Sequence, residues 1–246
     1  MLYKHKYGWQ PDIPDTRDFL YRAIQPVIRV PGKIDLRSLC SEVEEQGRLG
    51  SCTAQSLAGN LEFLDKKTDN TYTDTSRLFI YYNERLLMGT EDYDSGASLR
   101  VGIKTLKNDG ACVELMWPYV IGRFDRQPPK KCYVEAKGHR ITSYHRISGL
   151  KEMLICLAEG YPFVFGFTVY KSFESRTVAA TGVVNMPKKG ENAIGGHAVM
   201  AVGFDQAKKR FIVRNSWGKK WGMEGYFTMP FKYVETLAAD FWTIRK

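Results

Sequence analysis

The chain has 246 residues, 43% of them hydrophobic and 13% aromatic, with 36 Lys and Arg against 27 Asp and Glu for a formal net charge of +9. That is enough chain and apolar content for one large domain or for two lobes sharing a cleft. The positive charge is dispersed in short groups such as Lys130–Lys131 and Lys208–Lys209–Arg210, too short for a nucleic-acid-binding arm, so nucleic acid is not an expected partner.

The other exclusions concern membranes and metals. No apolar run approaches the ~18 residues of a membrane span, and the N-terminus has none of signal-peptide type. Five cysteines at scattered spacings, without a CxxC pair or a His/Cys cluster, fit neither a small disulfide framework nor a zinc site. The expectation is a protein with no metal, cofactor or membrane contact, in the cytoplasm or another reducing compartment.

In chain order, residues 1–33 are rich in Pro and aromatics without a period and read as an extended arm. Residues 34–37 resemble a short strand. From Cys52, apolar residues at Ala54, Leu57, Ala58, Leu61 and Leu64 follow helical spacing and predict a helix of about 15 residues. Polar residues 69–74 end it. Two more helices are predicted, over 76–87 and over 98–108, the second stopped at Gly110. The second half changes to short β-branched and aromatic runs over 144–147, 163–170, 182–185, 197–204, 210–215 and 225–229, with one helix near 150–159. The pattern is α+β, with a mainly helical first lobe over about 34–135 and a second lobe of antiparallel sheet or barrel over about 136–246.

Three stretches carry candidate chemistry: QGRLGSC (46–52), GGHAVMAVGF (195–204) and RNSWGKKWG (214–222). A thiol at a helix N-terminus sits at the positive end of the backbone dipole, where thiolate is favoured. His5 lies in the arm, and His139 and His145 flank a basic polar segment. His197 alone opens an apolar strand after two glycines. The amide of Asn215 suits fixing an imidazole tautomer, with Trp217 shielding that bond, and Gln46 suits donating an N–H to an oxyanion beside the backbone N–H of Cys52.

Together these stretches resemble the papain-like cysteine peptidases. Cys52 precedes His197 by 145 residues, and Asn215 follows after another 18. The resemblance runs from about Ile34 to the C-terminus. It implies a two-lobed α+β fold with the cleft between lobes, Cys52 as nucleophile, His197 as general base and then acid, Asn215 as its orienter and Gln46 as oxyanion donor. Peptide or protein substrates, an endopeptidase and a monomer are expected. A substrate would add main-chain hydrogen bonds beside Gly96, with Ala97, Ser98, Leu99, Gly166, Gly195, Gly196 and Trp217 also lining its site. Small residues at 166 and 195 imply a roomy pocket for the substrate's P2 side chain. Asp240 lies near its floor or on the surface.

Two departures mark the chain. Leu49 and Asp94 stand where the family has a disulfide pair, which implies a member without that bridge, and Ala97 replaces a glycine that pairs with substrate. Cys40, Cys112, Cys132 and Cys156 read as structural thiols. Residues 1–33 are too short for the family's helical pro-region; they either pack on the back of the lobes or lie across the cleft as a removable plug. Two rivals stand beside the peptidase: a catalytically silent, peptide-binding relative, which would normally have lost the nucleophile or base, and an acyl transferase to amines, which would normally carry Asp as third member.

Overall fold

The computed structural model describes residues 5–246. Its first lobe is built on three helices, α1 (Cys52–Asp69), α2 (Arg77–Met88) and α3 (Leu99–Asn108). Ser76 caps α2 by accepting the Phe79 N–H at 3.1 Å, as a Ser at that position should. The second lobe is a seven-stranded antiparallel sheet ordered β2 (Ser143–Arg146), β7 (Ala238–Arg245), β3 (Phe163–Tyr170), β4 (Ala193–Asp205), β5 (Arg210–Arg214) and β6 (Tyr226–Pro230), with β1 (Lys33–Asp35) paired to β4. The sheet is open, not a closed barrel: β2 and β6 stand at its two ends.

Several expectations are corrected. The run 182–185 forms no strand and contributes a single bridge, Val183 to Thr228, because Gly182 closes the short helix α6 (Arg176–Thr181) in a left-handed conformation. The second half holds three helices, not one: α5 (Gly149–Ala158), α6 and α7 (Phe231–Leu237). In the first half, α4 (Lys130–Ala136) was hidden behind Pro128 and Pro129. Strand β7 was also missed; Asp240 interrupts its apolar pattern and adopts φ 58°, a conformation Asp tolerates better than most residues.

Helix α1 runs through the middle of the molecule. Its apolar face (Leu57, Leu61, Phe63) joins the helical core, while Gln55, Asn60, Glu62 and Asp65 are buried as well, at no more than 5% exposure. The polar face is covered by the sheet lobe. Arg214 of β5 lies against Gly59, where an added Cβ would meet the guanidinium carbon at 3.2 Å. The same guanidinium donates to Ser41 O and Ser41 Oγ, both at 2.9 Å. Glu62 accepts from Ser41 Oγ and from the Thr75 N–H at 2.9 Å. Glu62 thus keeps fixed polar partners inside the protein, whereas the Asn60 side chain has no hydrogen-bond partner among the described residues.

Arg214→Ala therefore leaves the Ser41 carbonyl and the Glu62 carboxyl without their cation. Urea unfolding is expected to show a loss of about 3 kcal/mol; a change under about 0.5 kcal/mol would mean the lobes are joined by apolar packing alone.

Candidate active site

Cys52 is the first residue of α1, and α1 packs on β4, which carries His197. Main-chain N–H groups of Ala198, Gly8 and Thr53 hydrogen-bond to the sulfur and favour thiolate, but burial outweighs them and pushes the thiol up to about 11. The expectation of a thiolate at the helix N-terminus is therefore not met in this state. Cys52 has 0% exposure, and desolvation exceeds what a helix end contributes.

His197 Nε2 lies 2.8 Å from Asn215 Oδ1. The Ser216 N–H, which can only donate, reaches the same Oδ1 at 2.9 Å and so fixes the amide's orientation. His197 consequently carries its proton on Nε2, leaving Nδ1 as the basic nitrogen; Nδ1 has no hydrogen-bond partner among the described residues. Trp217 stacks on the imidazole at 5.2 Å between centroids, the shielding position expected of it. Burial lowers His197 to about 4, only partly offset by Asn215. The thiol and the imidazole are both neutral here.

Gln46 is anchored from three sides. Its Oε1 accepts from Ser216 Oγ at 2.6 Å, and its Nε2 donates to Leu49 O and to Lys6 O, both at 3.0 Å. The loop that carries it is zipped to the sheet lobe through Gln46 N to Ser216 O and Gly218 N to Glu44 O. Ser216 therefore sets the orientation of both Asn215 and Gln46, a role that the motif Asn-Ser-Trp did not disclose.

The N-terminal arm runs through this arrangement. His5 stacks on Trp217 at 4.2 Å. Tyr7 meets His197 edge-on at 6.0 Å and donates its hydroxyl hydrogen to Glu174. Ala97 N–H donates to Gly8 O at 2.8 Å, Gln10 N–H to Ala97 O at 2.9 Å, and Trp9 N–H to Gly196 O at 3.1 Å. Trp9 thereby pairs with Ala97 in parallel. The pairing residue is Ala97 and not Gly96, whose own N–H is used internally by the Tyr81 hydroxyl at 3.0 Å.

Of the remaining expected residues, Gly166, Gly195 and Gly196 lie beneath the arm's aromatic rings. Leu99 belongs to the core cluster against which Trp9 packs, and Ser98 precedes α3 without a side-chain cap bond. Beyond His5 the groove continues as a depression of about 400 Å³ lined by Trp217, Trp221 and Glu174.

Gly8 passes so close to the loop before Cys52 that an added Cβ would lie 1.8 Å from Gly50 O; only Gly fits. The far end of this segment is pinned by Asp12. Its carboxylate accepts from the Arg100 N–H at 3.0 Å and from Trp242 Nε1 at 2.8 Å, and its own N–H donates to Asp240 at 2.8 Å. Asp240 is thus buried in the anchor of the arm and is not a surface residue. Arg146 joins Asp18 and Asp240 at 3.0 and 3.1 Å. Tyr21, fully buried, donates to Glu159 at 2.6 Å. The signal in the sequence was a glycine between two aromatics (Tyr7-Gly8-Trp9) followed by paired Pro-Asp steps.

At the position of the missing disulfide, Gly50 N–H donates to Asp94 at 3.1 Å, and Tyr81 and Lys6 also bind that carboxylate. Polar contacts tie the two loops that a bridge would otherwise join.

Behind Cys52, Thr53 Oγ1 donates at 2.8 Å to Glu84, a fully buried carboxyl raised by desolvation to about 8. Thr53 stands where the family usually has an aromatic residue, but its bond to Glu84 was not foreseen.

The description "papain family cysteine protease" fits residues 30–236. Xylellain, a cysteine protease from Xylella fastidiosa, superposes with a TM-score of 0.91 at 39% identity, covering 100% of this chain and 98% of that one. An uncharacterized peptidase C1-like protein of Acanthamoeba polyphaga mimivirus is 44% identical over 270 aligned residues, covering 98% of this chain and 86% of its own. Cathepsin K of Mus musculus is 30% identical over 209 residues, 80% of this chain and 59% of the relative. The first two likenesses extend over most of the arm, which the family description leaves out.

Because Glu84 holds its proton in the folded state well above the pH at which an unfolded glutamate releases it, its contribution to stability is full below about pH 4.5. It declines as pH rises toward 8. Stability is thus expected to fall between pH 7 and 8 by up to about 1.4 kcal/mol per unit from this group, and Glu84→Gln to make that fall shallower, leaving the part due to Glu62, which burial raises to about 7. Equal slopes for both proteins in pH-resolved urea unfolding would contradict the assignment.

Proposed function

The chain belongs to the papain family of cysteine proteases, and within it we propose a latent peptidase: Cys52, His197, Asn215 and Gln46 hydrolyse peptide bonds once residues 5–10 leave the cleft. The reading rests on one observation above all: the arm's main chain engages Cys52, Gln46 and the neighbour of His197, and an aromatic ring of the arm faces His197 itself. Gly8 N–H meets the sulfur, Lys6 O meets Gln46 Nε2, Trp9 N–H meets Gly196 O, and Tyr7 faces His197.

With the arm displaced, water and the substrate's dipoles reach the thiol, and a proton passes from Cys52 to His197 Nδ1. The thiolate adds to the substrate carbonyl carbon, and the oxyanion accepts N–H groups from Gln46 Nε2 and the Cys52 backbone. Collapse breaks the C–N bond, the imidazolium proton goes to the leaving amine, and a thioester remains. His197 Nδ1 then takes a proton from water, whose oxygen attacks the thioester; release of the acid returns the sulfur. Asn215 holds the imidazole in the tautomer this requires.

The arm resists the same chemistry for a geometric reason. Hydrolysis needs one carbonyl to present its carbon to the sulfur and its oxygen to Gln46. Here Gln46 holds the carbonyl of Lys6, while the sulfur faces the N–H of Gly8, in the next peptide unit. No single bond meets both demands.

In the full chain, Gly8→Val cannot seat against Gly50 and is expected to raise peptide hydrolysis at least about tenfold; equal rates would remove the inhibitory role of the arm. In that background Cys52→Ala should abolish hydrolysis, and Gln46→Ala should lower kcat by about 10²–10³-fold. Full activity in Cys52→Ala would overturn the peptidase reading itself.

A further inference from the structure

Away from the cleft, the chain that leaves α3 runs along α4. A Cβ at Gly110 would lie 1.9 Å from Ala136 O, and the Val113 N–H donates to Glu135 at 3.1 Å. Between these two contacts Cys112 meets Cys132, thiol to thiol within hydrogen-bonding reach. Both are fully buried in the core cluster around α1. Each is also held by its backbone or sulfur: Cys112 O accepts the Ser76 N–H at 2.8 Å, and Cys132 Sγ donates to Met116 O at 3.8 Å. Cys40 and Cys156 differ, because their sulfurs turn to main-chain carbonyls, of Leu36 and Tyr161. The pair does not occupy the positions of the bridge that Leu49 and Asp94 replace.

We propose that Cys112 and Cys132 are a disulfide-forming pair, joined when the chain folds in the presence of a small-molecule disulfide. One cysteine thiolate attacks that disulfide, forming a mixed disulfide and releasing one small thiol. The second cysteine gives up its proton and attacks the protein sulfur of the mixed bond, releasing the other. Two protein thiols are oxidised and one small disulfide is reduced to two thiols. Burial in the finished fold disfavours the Cys112 thiolate, so the exchange belongs to the stage before α4 closes over it. The bond encloses residues 113–131. That loop carries Tyr119, whose hydroxyl donates to Gln46 O at 3.0 Å and lies 2.6 Å from Ser51 Oγ. Closing the loop restricts the unfolded chain and so stabilises the fold without a new contact at the cleft. The bond is independent of whether the cleft hydrolyses peptides.

The test refolds the unaltered full chain from urea in a buffer of reduced and oxidised glutathione. Remaining thiols are blocked with iodoacetamide, and the unreduced protein is digested with trypsin for mass spectrometry. Arg123, Arg126, Lys130 and Lys131 lie between the two cysteines, so the bond survives digestion as two joined peptides, lighter by two hydrogens than their sum. The Cys112–Cys132 pair is expected as the dominant linked species. The oxidised chain should melt at least about 5 °C above the same chain treated with dithiothreitol. Cys112→Ala, refolded in the same buffer, should melt alike with and without dithiothreitol, whereas the mapping itself needs no variant. Glutathione left on either cysteine, bonds to Cys40, Cys52 or Cys156 in place of this one, or a linked chain that melts with the reduced one would overturn the assignment.

Discussion

The hydrogen bonds that residues 8–10 make with Ala97 and Gly196 govern the state of everything beneath them. They seat Gly8 over Cys52, and Gly8 excludes water from the sulfur. Once dry, the thiol and the neighbouring imidazole each lose more from desolvation than they gain from local dipoles: burial pushes Cys52 up to about 11 and His197 down to about 4. Two groups displaced in these directions hold their proton on sulfur, where neither nucleophile nor acid is available. Occlusion and chemical silencing thus have one origin.

The segment is held by anchors outside the cleft. Asp12, shared between the Arg100 and Trp242 donors and backed by Arg146 and Asp240, fixes one end of it. Tyr21, buried against the sheet lobe, fixes the chain beyond. The contacts in the cleft are mostly main-chain bonds and ring packing, which a competing peptide can reproduce. The anchors are a buried carboxylate held by N–H donors and an arginine, and a buried tyrosine, which it cannot.

Much of the architecture was legible because helical spacing from Cys52 and the alternation of the later strands follow directly from which faces are buried. The candidate site residues could be named because Cys52, His197, Asn215 and Gln46 each stood in a fitting local context. What escaped has physical reasons. The apolar spacing of α1 did not disclose that Glu62 is buried on its other side, where Ser41 binds it beside Arg214. Asp240 broke the pattern of β7, being placed for the arm rather than for the sheet. The thiol's protonation depends on Gly8, 44 residues upstream in sequence, and periodicity says nothing about such a contact. Asp94 was noted as a missing cysteine, but its role as acceptor for Gly50 is a matter of loop geometry.

The central claim is that seating of Gly8 sets the ionisation of Cys52, and the pH dependence of alkylation tests it most directly. Rates with iodoacetamide, followed by mass spectrometry of the peptide containing Cys52, compare the full chain with its Gly8→Val variant. The account predicts that the unaltered chain reacts slowly, with an inflection far into the alkaline range, and that the variant reacts faster with an inflection several pH units lower. Superimposable profiles for the two proteins would contradict it.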